Sequence, residues 1–165
     1  MNAWWSIAPF DWVDVGAALL CGFLVGLERQ LRGKPVGIRT STLIVLGTHL
    51  FIVAAGTLNS EMTDGSRIIG QVVTGVGFLG AGVMLAKDGI VVGVTSAAAI
   101  WALAGIGVCL SVVGPGVAVK LSLVVVAILY GVDALEHTST RLTRGVHNRY
   151  YELKRRMRGE ALGGE

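Results

Sequence analysis

Residues Ile90–Val113 read IVVGVTSAAAIWALAGIGVCLSVV, a run with no Asp, Glu, Lys or Arg. A helix needs ~20 mostly apolar residues to cross the hydrocarbon core of a bilayer. Only helices and closed barrels can satisfy their backbone groups there. The run is too long and does not alternate as a barrel strand does, so it predicts a membrane-spanning helix.

Working outward, four more apolar segments flank it: Val13–Leu27, Ser41–Leu58, Ile68–Ala86 and Gly116–Leu135. The first is short, and Phe10 and Trp12 extend it at the membrane surface, where Trp4, Trp5 and Trp12 form an aromatic anchor. Of the 165 residues, 53% are hydrophobic and 15% charged, with the charges gathered between the apolar runs; mean hydropathy is +0.67. The fold expected is all-α: a polytopic membrane protein with five transmembrane helices over residues 1–137, then a basic tail over 138–165.

Basic residues orient the spans. With the N-terminus outside, the first loop (Arg29, Arg32, Lys34, Arg39), the third-to-fourth turn (Lys87) and the tail together place twelve of the 14 Lys and Arg on the cytoplasmic side, leaving Arg67 and Lys120 outside. The positive-inside rule therefore predicts N-out, C-in and an odd number of spans.

The chain has 24 glycines, many within the spans. In lipid, small residues let helix backbones approach closely. Gly22 and Gly26 form a GxxxG pair on the first span. Gly70, Thr74, Gly77 and Ala81 share a face of the third, and Ala98, Ala102 and Gly105 a face of the fourth. These faces are expected to build the bundle core.

No zinc spacing, CxxC pair or nucleophile–base arrangement occurs, so neither an enzyme nor a metal or cofactor site is expected, and nothing points to nucleic acid. Cys21 and Cys109 read as small apolar residues. Met1–Val15 has no Lys or Arg and so lacks the basic region of a signal peptide. Leu19-Leu20-Cys21 loosely resembles a lipoprotein cleavage site, but Leu20 is too bulky. Gly75–Gly80, GVGFLG, matches GxGxxG by letter. A dinucleotide site needs that motif on a soluble strand-to-helix turn with an acid ~20 residues on, whereas here it lies inside a span.

Polar residues near the spans carry more information because they are costly in lipid. Glu28 and Arg29 end the first span, Arg39 opens the second, and Asp133 lies at the inner end of the fifth. Two readings stand for these four: an acid–base network at the cytoplasmic mouth, or plain boundary markers. Lys87 and Glu136 read as boundary markers. Gln71 and Thr74 share a face of the third span and form a candidate intramembrane polar site. His49, inside the second span, reads as a neutral imidazole bonded to a neighbour. In the tail, Leu142, Val146, Tyr150, Leu153 and Met157 recur at helical spacing between basic residues. They predict either an amphipathic helix on anionic lipid or, alternatively, a solvated basic tail or a short self-associating helix.

Three blocks carry a resemblance to a known family. Gly22–Thr40, GFLVGLERQLRGKPVGIRT, is similar to the first signature of the MgtC/SapB membrane proteins; Asp64–Gly82, DGSRIIGQVVTGVGFLGAG, resembles the second; Val94–Gly107, VTSAAAIWALAGIG, resembles a third. The resemblance implies a bacterial inner-membrane protein linked to magnesium limitation, acid tolerance or survival inside host cells. It also implies a regulator, since some members restrain the proton-translocating ATP synthase by binding it. Longer members carry an ACT-like soluble domain after the fifth span, for which the tail here leaves no room. Ser41 replaces a histidine often found after the G-[LI]-R-T motif.

The expected function is that of a non-enzymatic membrane regulator contacting another membrane complex, with the lipid bilayer and a second copy, in a dimer, as further partners. The alternative is a small oligomeric ion or solute pathway lined by Gln71, Thr74 and the Gly75–Gly82 segment.

Overall fold

A computed structural model describes residues 5–58, 65–87 and 90–138, with 87, 90 and 133–138 described by backbone alone. Five helices follow in order: α1 (Trp12–Leu31), α2 (Ile38–Gly56), α3 (Gly65–Gly82), α4 (Val94–Val112) and α5 (Pro115–Thr138). Between α3 and α4 lies one small hairpin, β1 (Leu85–Lys87) with β2 (Ile90–Val92). Three helices, α2, α4 and Pro115–Val132 of α5, are long and apolar enough to cross a membrane. The chain forms two compact units, Met1–Ala127 and Ile128–Glu165, the boundary falling within α5. The tail expected to be amphipathic, beyond Thr138, lies outside the described residues.

Helix ends follow local chemistry. Asp11 caps α1 by accepting from the Val13 amide at 2.8 Å, which satisfies one of the free amides at a helix start. Gly37, at the start of α2, has no side chain to offer. Gln30 of α1 reaches across instead, its Oε1 accepting from the Ile38 amide at 3.3 Å. α5 opens with Pro115, whose missing N–H costs nothing in the first turn of a helix.

α1 and α2 form a tight antiparallel pair. A Cβ on Gly22 would lie 2.7 Å from the Thr42 backbone nitrogen, and one on Gly26 would lie 2.5 Å from Ile38 Cα. No side chain fits in either place, so the two glycines set how closely the helices cross. The expected core faces of the other helices differ from what the structure shows. A Cβ on Gly70 or Gly77 would meet nothing within 4 Å, and with Thr74 and Ala81 these residues form an exposed face of α3. α3 instead packs through Val76 and Gly80, a Cβ on Gly80 lying 3.6 Å from the Ala97 carbonyl oxygen of α4. On α4, Ala98 and Gly105 are exposed. Gly107 is the close-contact residue, with a Cβ there falling 2.8 Å from the Val45 carbonyl oxygen of α2. Small-residue spacing marks a face that can be approached closely, and several such faces competed on α3 and α4.

α4 is the central helix, burying Ala99, Ile100, Leu103, Ala104, Ile106 and Leu110 among α1, α2 and α3. On α5, Ala118 and Ser122 are fully buried, four residues apart on one face, while Leu123, Val124 and Ile128 are exposed.

The third span was expected to continue to Ala86; α3 ends at Gly82. Leu85 pairs with Val92 and Lys87 with Ile90. Two residues, Asp88 and Gly89, stand between the paired strands, and Asp-Gly between apolar runs is a strong hairpin signal. Gly93, which closes the hairpin and precedes α4, has φ of 90° and backs onto the Val83 carbonyl. Only glycine combines that dihedral with so close an approach.

Candidate functional site

The packing of the bundle brings the C-terminal end of α1, the N-terminal ends of α2 and α4, and the C-terminal end of α3 to one end of Met1–Ala127. Gly26 against Ile38, the α3–α4 hairpin, and an Arg29–Ser96 bond fix this arrangement. Arg29, only 3% exposed, donates from Nη2 to Ser96 Oγ at 2.7 Å. Its Nε is buried without a partner among the described residues. Glu28 is 7% exposed, and its Oε1 stands 2.8 Å from Arg32 Nε one turn on. That contact is an ion pair without hydrogen-bond alignment, and Glu28 Oε2 is buried with no hydrogen-bond partner. Two adjacent charges of opposite sign are therefore buried at this end of the bundle, each with one polar atom left over. A buried charge is tolerated only when paired or hydrogen-bonded.

One of the two readings of the sequence placed Glu28, Arg29, Arg39 and Asp133 in one network. Glu28 and Arg29 lie side by side, but their partners are Arg32 and Ser96, which sequence reasoning did not name. The i,i+4 spacing of Glu28 and Arg32 was a legible signal for the first; nothing in the sequence pointed to Ser96, 67 residues from Arg29. Arg39 is exposed and makes no ion pair with Glu28. The side chain of Asp133 lies outside the described residues.

The loop between α1 and α2 is held tightly. Val36 is buried, with φ of 69°, an outlying conformation for a β-branched residue. Its carbonyl accepts from Ser41 Oγ at 3.0 Å, and Ser41 is itself fully buried beneath Gly26. The serine at this position thus ties the loop to the start of α2.

Arg39 faces a different feature. A cavity of about 730 Å³ runs between α2 and α3, with Arg39 and Thr40 at one end, apolar walls that include Leu43, Phe51 and Leu79, and Gln71 on the α3 side. Thr74 lies off this cavity and donates back to the Gly70 carbonyl at 2.8 Å. Gln71 and Thr74, paired by sequence, therefore serve different surroundings.

Past the middle of α2, His49 is fully buried and its Nδ1 is 2.9 Å from Ser111 Oγ. Ser111 also donates to the Gly107 carbonyl at 2.9 Å. With its single proton on that carbonyl, the Ser111 oxygen is placed to accept from Nδ1 of the imidazole. Nε2 is left buried without a partner among the described residues. The Phe10 ring stands 6.5 Å away. Among the described residues, no group of three or more His, Cys, Asp or Glu could hold a metal ion.

Comparison with known proteins places this arrangement in a family. Over 107 residues the chain is 46% identical to a protein named putative magnesium transporter YhiD from Escherichia coli K12, covering 61% of this chain and 48% of that one. It is 44% identical over 92 residues to Protein MgtC of Salmonella typhimurium LT2, covering 56% and 39%. It is 36% identical over 113 residues to Protein SapB of Bacillus subtilis 168, covering 62% and 48%. The chain thus spans about half the length or less of the curated relatives it matches. No solved structure matches it. The sequence profile of the MgtC family matches residues 15–138, a range that contains all five helices except the first three residues of α1; this membrane protein belongs to the MgtC family.

Proposed function

We propose that the protein is a non-enzymatic regulator of the bacterial inner membrane, active in magnesium and proton homeostasis, that works by helix contact with another membrane complex. All five helices cross the bilayer in this reading, with the N-terminus outside and the tail inside, as the distribution of basic residues supports. The names of the relatives, one of them a putative magnesium transporter, support the link to magnesium. The observation that carries the contact mechanism is the bare face of α3, where a Cβ on Gly70 or Gly77 meets nothing within 4 Å. Within lipid, such a face lets a partner helix approach closely. That helix belongs to a second copy in a homodimer or to a complex such as the proton-translocating ATP synthase.

A photo-crosslinking residue at Ala81, on this face, tests the reading in cells grown at low magnesium. Adducts with an ATP synthase subunit, together with reduced ATP-driven proton pumping in inverted vesicles, are the expected result. Adducts with lipid alone would end it.

A second reading, an oligomeric ion or solute pathway, is favoured by Gln71 facing the α2–α3 cavity. Magnesium flux into proteoliposomes, abolished by Gln71→Leu, would establish it over the first.

A further inference from the structure

We propose that the groove between α2 and α3 is a binding site for one anionic phospholipid of the surrounding bilayer, its phosphate on Arg39 and one acyl chain along the groove. The inference rests on the cavity and on Arg39, and it is independent of the regulatory reading.

The groove holds about 730 Å³, within the ~300–1,000 Å³ of small-ligand sites. Its walls are almost wholly apolar, with Leu43 and Phe51 from α2 and Leu79 from α3. Gly47 and Gly75 also line it, and a Cβ on either meets no heavy atom within 4 Å. Apolar walls without neighbours lose their dispersion contacts, and in a bilayer hydrocarbon chains are the material at hand to supply them.

Arg39 determines which chain-bearing molecule fits. It stands at one end of the groove beside Thr40, exposed and without an ion pair among the described residues. A guanidinium presents paired donors that match a phosphate, and the Thr40 hydroxyl adds one donor. An apolar trough closed at one end by a cation and a hydroxyl complements an anionic amphiphile. A transmembrane helix fits less well: at ~10 Å wide it would fill the volume in roughly two turns, and it would have to bring its own carboxylate to Arg39.

Thr48 and Gln71 are the further polar side chains of the groove wall, and the position of Gln71 limits how far the chain runs. α3 runs opposite to α2, so Leu79 lies toward the Arg39 end and Gln71 away from it. Along α3 the two are separated by about 12 Å. Half of the hydrocarbon core is about 15 Å thick. A chain whose headgroup sits at Arg39 therefore ends near Gln71, and the amide remains in the other half of the groove.

Native mass spectrometry of the full chain released from mixed detergent micelles tests this, with phosphatidylglycerol and phosphatidylcholine in competition. One phosphatidylglycerol per chain is expected to be retained, with about fivefold preference over phosphatidylcholine, the factor one basic residue contributes near an anionic surface. Arg39→Gln should abolish the preference, whereas Lys34→Gln in the adjacent loop should leave it. Gly75→Leu, whose Cβ enters open space on the groove wall, should abolish retention while helicity and Tm are kept; Gly47→Leu serves if that variant is unstable. Equal retention of both lipids, a preference that survives Arg39→Gln, retention undiminished by either filled groove, or a protein dimer carrying no lipid would each overturn the proposal.

Discussion

Arg29 on α1 and Ser96 on α4 are joined by a hydrogen bond of 2.7 Å between side chains that are both 3% exposed. Ser96 is the only hydroxyl that this guanidinium meets among the described contacts, and Arg29 Nε has no partner of its own. Hydrogen bonds to charged groups are worth about 1.5–3 kcal/mol. Ser96→Ala should therefore lower stability by about that amount, while Ser96→Thr keeps a hydroxyl and should cost less. Thermal unfolding of the purified chain in detergent separates the two. Equal loss in both variants would mean the methyl packing, and not the bond, matters.

Gly26 and Gly77 provide an opposed pair of tests. A Cβ on Gly26 lies 2.5 Å from Ile38 Cα, and one on Gly77 lies in open space. Overpacking against backbone costs about 1–3 kcal/mol. Gly26→Ala should lower Tm and folded yield, and Gly77→Ala should leave both unchanged in the monomer. A comparable fall in Tm at Gly77 would show that α3 packs on something through its exposed face even in detergent.

How far the sequence led depended on the range of the signal. Helical spans were legible because apolar length is a local property: α2, α4 and α5 each carry it within their own residues. On the first helix the GxxxG spacing of Gly22 and Gly26 marked a close-packing face, but not that α2 is the helix it meets. On α3 there were two such faces, and the spacing of Gly70 and Gly77 was no better a signal than that of Val76 and Gly80. The hairpin at 85–92 was missed because an unbroken apolar run outweighed the Asp88-Gly89 pair within it. Ser96 as the partner of Arg29 was illegible, because a contact between residues 67 apart is fixed by packing and not by pattern.

The proton on His49 follows from counting donors. With the only Ser111 hydroxyl proton on the Gly107 carbonyl, its oxygen is left to accept from Nδ1 of the imidazole at 2.9 Å. Nitrogen NMR on the histidine-labelled chain should show a neutral ring protonated at Nδ1. Ser111→Ala removes the acceptor and should shift the population toward the Nε2 tautomer. A ring already protonated at Nε2 in the parent chain would mean Ser111 donates to His49 and leaves Gly107 with its helical backbone bond alone.

Arg32 and Arg39 lie seven residues apart at the same end of the bundle, yet the structure assigns them different work. Arg32 pairs with Glu28, whose side chain is 6% exposed, at 2.8 Å. Removing Arg32 leaves a buried carboxylate short of its partner, a situation that costs about 3–5 kcal/mol when the remaining charge is fully buried. Arg32 is itself 21% exposed, so water reaches the pair and the cost falls toward the lower part of that range. Arg39 has no described carboxylate beside it and faces the α2–α3 groove. Arg32→Gln should therefore destabilise the chain strongly, and Glu28→Gln in the same chain should recover part of the loss, since a neutral amide no longer needs a cation. Arg39→Gln should leave unfolding in neutral detergent nearly unchanged. Tm values for the four chains decide the matter. If Arg39→Gln proved the more damaging, and Glu28→Gln rescued it, Glu28 would be paired across the helices with Arg39 and not along α1 with Arg32.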